Sequence, residues 1–134
     1  MAYQDLYRLS VHAVILDESN NVLFVKTTYG AMGWTLPGGA VDPGETVNET
    51  LLRECKEELG RDIEILYLSG VYYHTNHNSH ALVFSCKFTD GLPIKLSEEH
   101  SEFKFFNVVE LKGSHKEKIE DCFKYQGVTM SRKY

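Results

Sequence analysis

Long apolar runs are missing from this 134-residue chain. Nothing approaches the roughly 18 consecutive apolar residues of a membrane-spanning helix, so no membrane partner is expected. A charged-then-apolar leader is missing as well, which fits a cytoplasmic protein. Cysteine is scarce: Cys55, Cys86 and Cys122 are odd in number, far apart and in no CxxC or Cys/His spacing. They read as buried thiols in a reducing compartment. Positive charge is short too, with 14 basic against 19 acidic side chains and a formal net charge of -5. That balance disfavours a nucleic-acid backbone as the main partner. An anionic substrate would need local positive charge, from a cation or a few placed Lys and Arg residues.

What is present is an ordinary globular composition, 43% hydrophobic and 25% charged, without repeats or low-complexity segments. The simplest expectation is one compact domain over 1–134, long enough to bury a core without disulfides or metal staples. In "YRLSVHAVILDE" Leu9, Val11, Ala13 and Ile15 share one alternation and His12, Val14 and Leu16 the other. Both faces are mostly apolar, the pattern of a central strand covered on two sides, with His12 a core histidine. The turn cluster "DESNN" then leads into "VLFVKTTY", so the two runs read as a hairpin. Two further strands, "IEILYLSGVYYH" and "ALVFSCKFTDG", flank a polar loop at Thr75 to Ser79, and "EFKFFNV" from Glu102 reads as another. A last helix is expected from Ser114, capped through Glu117 and burying Ile119, Cys122 and Phe123, before a loose tail "VTMSRKY".

The informative segment lies between these. "GAMGWTLPGGAVDPGE" is too rich in Gly and Pro for regular structure and ends where a helical pattern begins. Thr46 and Glu49 form a capping box, Val47, Leu51, Leu52, Cys55 and Leu59 make an apolar stripe, and Gly60 ends the helix. Glu54, Glu57 and Glu58 lie beside the stripe in one narrow arc, with Glu49, Arg53 and Lys56 on the far side. Like charges at that spacing repel by about 0.2 to 0.5 kcal/mol per exposed pair. Clustered carboxylates are hard oxygen ligands suited to Mg2+ or Mn2+, and such a cation would relieve the repulsion. Without it, at least one carboxyl should have a raised pKa. Taken alone, such a run is normally a solvated acidic face.

From Gly39 to Arg61, "GAVDPGETVNETLLRECKEELGR" resembles the Nudix box, G-x5-E-x7-R-E-U-x-E-E-x-G-U, where U is bulky and aliphatic. Gly39, Glu45, Arg53, Glu54, Glu57, Glu58 and Gly60 match at the required spacings, while Cys55 and Arg61 depart at the two U positions. The resemblance implies an α/β (α+β) fold, an α/β/α sandwich with a mixed sheet between the box helix and a C-terminal helix. It also implies hydrolysis of a nucleoside diphosphate linked to another group X, with Mg2+ or Mn2+ as cofactor. Glu54, Glu57 and Glu58 would hold the cation, with the Gly38 carbonyl as a further ligand, and Arg53 and Glu45 would orient the cluster. Glu54 or Glu57 is the first choice of general base. Glu98, Glu99 and Glu102 are candidates for a distal ligand or base, with Glu102 favoured because it begins a strand.

Trp34 could stack on a base or belong to the core, Lys26 and Lys87 could meet phosphate or solvent, and Gly39 lets substrate approach the backbone. His74, His77 and His80 are spaced by three around a loop, yet no Cys accompanies them, so they read as polar residues more than as a zinc site. The region "HTNHNSH" lacks the proline that ADP-ribose members of the family often carry beyond the box, which counts against that substrate. A MutT-like enzyme acting on nucleoside triphosphates or related small nucleotides is the default. An RNA 5'-end pyrophosphohydrolase and a nucleotide-sensing module that does not hydrolyse are the alternatives. Homodimers are common in the family, although no stripe here marks a dimer surface.

Overall fold

The computed structural model describes residues 3–28 and 33–134. The end of the second apolar run and the start of the Gly- and Pro-rich loop, residues 29–32, lie outside them. Strands β1 (Arg8–Ile15), β2 (Val22–Thr27), β3 (Trp34–Thr35) and β4 (Gly38–Ala40) precede helix α1 (Val47–Leu59). After it come β5 (Ile63–His74), β6 (Ser79–Phe88), β7 (His100–Phe106), helix α2 (Gly113–Phe123) and β8 (Met130–Lys133).

Five strands form a mixed sheet in the order β4-β1-β6-β5-β8, and β3-β2-β7 form a smaller antiparallel one. Strand β1 is an interior strand, antiparallel to β4 and parallel to β6. Its two alternations serve different layers. Val11, Ala13 and Ile15 pack with Leu51, Cys55 and Leu59 of α1, whereas Val14 packs with Ile119 and Cys122 of α2. Strand β2 divides in the same way, Leu23 and Val25 to the first cluster and Val22 and Phe24 to the second. Each fully buried Leu in these layers is worth about 1.5 to 3 kcal/mol. The expected sandwich between two helices is thus the observed one.

Four expectations are corrected. Strands β1 and β2 do not form a hairpin: after one isolated bridge, Leu16 to Val22, they part into different sheets. The turn itself stands, because Asp17 Oδ1 accepts from the amides of Ser19 and Asn21 at 2.9 and 2.8 Å. Helix α2 starts at Gly113 behind Lys112 with no side-chain cap, while a capping box forms earlier, between Asn107 and Glu110 on a 3-10 turn. Leu52 and Phe123, read as buried, are 44% and 42% exposed and belong to neither core cluster. The tail is not loose. Residues 130–133 pair in parallel with β5, and Arg132 donates to both oxygens of Asp121 at 2.8 and 2.9 Å.

Arg61 also finds a place where an aliphatic residue was expected. Its guanidinium lies 3.5 Å from the ring centroid of Phe88 and donates to Asp90, so stem and plane fill the position while the charge is neutralised. All three cysteines are buried and free. No helix among the described residues is long and apolar enough to cross a membrane.

Candidate active site

The capping box is made as expected: Thr46 Oγ1 accepts from the Glu49 amide at 3.1 Å and Glu49 Oε1 from the Thr46 amide at 2.9 Å. Such a cap is worth about 1 kcal/mol and sets where α1 begins. Gly60 closes the helix in a left-handed conformation. With both ends determined, rotation of α1 about its axis follows from burial of Leu51, Cys55 and Leu59, and that rotation aims the glutamates.

Glu58 is turned furthest inward, 4% exposed. The Gly38 amide donates to its Oε2 at 3.0 Å, and His100 Nε2 lies 3.4 Å from its Oε1. Burial pushes the Glu58 carboxyl up to about 8. Burial also lowers the pKa of His100, so near neutral pH a neutral imidazole faces a largely protonated carboxyl, a hydrogen bond more than an ion pair. Gly38 adopts φ of 145° against β1, where a Cβ would collide with the Val11 carbonyl oxygen. Only glycine can bring its amide to Glu58 there.

Glu54 comes next along the arc. It lies against Gly39, where an added Cβ would fall 2.8 Å from the Glu54 carboxylate carbon. Burial raises the Glu54 pKa, and the Glu57 and Glu99 carboxylates add to the rise. Glu57 is exposed at the rim.

Arg53 reverses one expectation. It does not lie away from the cluster but ties it together. Nη1 donates to Glu54 Oε1 and Glu57 Oε2, both at 3.2 Å, and Nη2 reaches Asp42 Oδ2 at 3.2 Å. Nε and Nη2 grip the two oxygens of Glu45 at 2.7 and 2.9 Å, and this fork holds Glu45 down to about 2. Glu45 also accepts from the buried Thr50 hydroxyl at 2.9 Å.

A cleft of about 350 Å3 opens beside the cluster, lined by His12, Trp34, Gly38, Gly39, Glu58 and His100. Trp34 meets Phe106 edge-on and lies below Lys26, whose Nζ is 5.9 Å from its ring centroid. Lys26 pairs across the strands with Glu102, Nζ to Oε2 at 3.6 Å. Sequence reasoning thus brought Trp34, Gly38 and Gly39 to the cleft, while Lys26 and Glu102 are engaged with each other. Of the distal acids, Glu99 is the one whose charge acts on both Glu54 and Glu58. Lys87 pairs with Glu64 on the surface, at 3.2 Å.

His100 and Asp42 were missed. A histidine at the start of a predicted strand and an aspartate in a Gly/Pro loop carry no local pattern. The histidine triplet does not converge: His80 opposes Tyr73 and His74 opposes Ser79, so His74 and His80 face opposite sides of the sheet.

A divalent cation fits the donors here. The set is made of carboxylate oxygens, and two of its carboxyls have raised pKa values that a cation would bring down. Among the described residues no three acidic, cysteine or histidine side chains are already drawn into one ligand set, and Arg53 holds one oxygen each of Glu54 and Glu57.

Comparison with known proteins agrees with this arrangement. The family model described as NUDIX domain matches residues 6–125. An ADP-ribose pyrophosphatase of Methanocaldococcus jannaschii is 31% identical over 133 residues, covering 90% of this chain and 79% of that protein. A MutT-like protein of Streptomyces ambofaciens is 36% identical over 93 residues, covering 69% of this chain but 60% of its own length. A crystal structure of a NUDIX hydrolase from Nitrosomonas europaea superposes with a TM-score of 0.80 at 21% identity, over 98% of this chain and 81% of that one, a likeness of fold. The box spacing, the sandwich that orients it and a domain match across most of the length lead to one conclusion: the chain belongs to the Nudix family of hydrolases.

Proposed function

We propose that residues 1–134 act as one Nudix domain that hydrolyses a diphosphate bond in a small nucleotide, a nucleoside diphosphate linked to a group X. Nucleoside triphosphates or related nucleotides are the leading substrate class. The observation that carries this reading is the placement of Glu58 beneath the Gly38 amide at the cleft, with Glu54 against Gly39, which lines the same cleft.

Glu54, Glu57 and Glu58, with the Gly38 carbonyl, would hold Mg2+ or Mn2+. The bound cation would neutralise the diphosphate and lower the pKa of the attacking water. Glu54 or Glu57 takes the water's proton. Arg53 and Glu45 keep these carboxylates in register, Gly39 lets the phosphates approach the backbone, and Trp34 offers a face to the base. Free, buried thiols support a reducing, cytoplasmic setting.

The test is turnover of a panel with Mg2+ or Mn2+: nucleoside triphosphates, ADP-ribose, nucleotide sugars, dinucleoside polyphosphates and 5'-triphosphorylated RNA. Hydrolysis of one class, lost in Glu57→Gln and without metal, supports the reading and names the substrate. Metal-dependent nucleotide binding with no turnover across the panel would make the protein a sensor instead.

A further inference from the structure

On the α2 side of the five-stranded sheet a second cavity, of about 360 Å3, has a lining with no Asp or Glu. Strand β1 contributes Arg8 and His12, the end of β5 His74, the β5–β6 turn His77, and α2 His115 and Lys118. In a chain of net charge -5 this is an unusual concentration of basic groups.

Lys118 makes the case. It is 7% exposed, yet among the described residues no carboxylate lies within ion-pair range of it. Its Nζ donates to His74 Nε2 at 2.9 Å and otherwise faces the rings of Tyr72 and Tyr134 at 5.5 and 5.6 Å. A buried ammonium without a counter-charge is destabilising unless something supplies one. The His115 Nδ1 is likewise buried with no hydrogen-bond partner, and no side chain caps the first amides of α2. His12, His74 and His115 all have pKa values lowered by burial and by the Lys118 charge. A metal cation would have to enter beside that ammonium; an anion would meet the Lys118 ammonium and the Arg8 guanidinium and no carboxylate.

We infer that this cavity binds a phosphate-class anion, with Lys118 as its principal charge partner and His115 and Arg8 as further donors. His12 lines both this cavity and the Glu58 cleft, so one nucleotide could occupy both. That assignment of the source rests on the function proposed above and selects nucleotides bearing a second, remote phosphate. The anion site itself does not depend on hydrolysis.

The experiment is a titration of metal-free protein with inorganic phosphate against sodium chloride at matched ionic strength, following the histidine ring resonances. Saturable shifts of His12, His74 and His115 with phosphate but not chloride are expected. Lys118→Gln should weaken the affinity about tenfold or more, and Arg8→Gln, on an exposed rim residue, should weaken it less. Absence of saturation, an equal response to chloride, or unchanged affinity in a folded Lys118→Gln protein overturns the inference. Adenosine 3',5'-bisphosphate is then compared with adenosine 5'-monophosphate. A gain from the second phosphate that disappears in Lys118→Gln assigns the site to substrate. Equal affinities with phosphate still saturating assign it to free phosphate. Because these measurements need neither metal nor turnover, their failure is distinct from failure of the hydrolase reading, which Glu57→Gln turnover reports.

Discussion

Arg53 grips Glu45 through Nε and Nη2 at 2.7 and 2.9 Å while its remaining nitrogen spans Glu54 and Glu57. One guanidinium thereby transmits the position of the Gly/Pro loop to two carboxylates of the helix. A lysine has the charge but not the planar fork. Arg53→Lys should keep the fold and lower metal affinity or turnover by about 10- to 100-fold, the usual effect of losing a residue that orients ligands. A wild-type turnover number in a folded Arg53→Lys protein would reject this role.

The protonation of Glu58 makes metal-free stability depend on pH. Its folded pKa, about 8, lies above the ordinary 4.5, so between those values the folded state holds more protons than the unfolded one. The stabilising contribution is complete below about 4.5 and is lost as pH rises through about 8, with a slope of up to about 1.4 kcal/mol per unit. Histidines whose pKa values are lowered by burial contribute with the opposite sign, so the quantity to measure is the difference between wild type and Glu58→Gln. Denaturant unfolding from pH 5 to 9 should show that difference falling with pH; a flat difference would contradict the raised pKa. Added Mg2+ should raise the wild-type Tm more at pH 8 than at pH 6, because a proton competes for the same carboxylate.

Gly39→Ala tests how closely Glu54 must approach the loop. The new Cβ would sit 2.8 Å from the Glu54 carboxylate carbon, and the flexible side chain would yield before the backbone does. Turnover should fall by about 10- to 100-fold with little change in Tm. An unchanged rate would show that the Glu54 position has slack.

The distal acids can be ranked. Glu99 acts electrostatically on Glu54 and Glu58, whereas Glu102 is paired with Lys26 at 3.6 Å. Glu99→Gln should therefore reduce kcat more than Glu102→Gln does. The reverse order would restore Glu102 as the distal residue.

The C-terminal strand should matter for stability without touching chemistry. Asp121 is buried, accepts from Tyr72 at 2.9 Å and is held below its ordinary pKa by Arg132. Arg132→Met removes charged hydrogen bonds and should cost about 1 to 3 kcal/mol in urea unfolding. No loss would mean that β8 is held by its backbone pairing alone.

What could be read without coordinates was local. The spacing of Gly39, Glu45 and the box residues, the caps of α1 and the double alternation of β1 each depend on residues within a few turns of one another. They carried the helix, its acidic arc and the two-layer covering of β1. The two errors of strand pairing share one cause. Whether β1 and β2 stay paired and whether residues 130–133 form an edge strand are decided by neighbours far away in sequence.

The sequence by itself thus determined the family, the carboxylate set and the helix that carries it, because helical periodicity and capping are short-range chemistry. Only the tertiary structure decided which glutamate is buried beneath Gly38, that His100 stands against it, and that Arg53 turns inward to bind four acids. It alone gathered Arg8, His12, His74, His77, His115 and Lys118 around one cavity. Burial and long-range contact set those protonation states and charge environments, and neither exists until the chain has closed on itself.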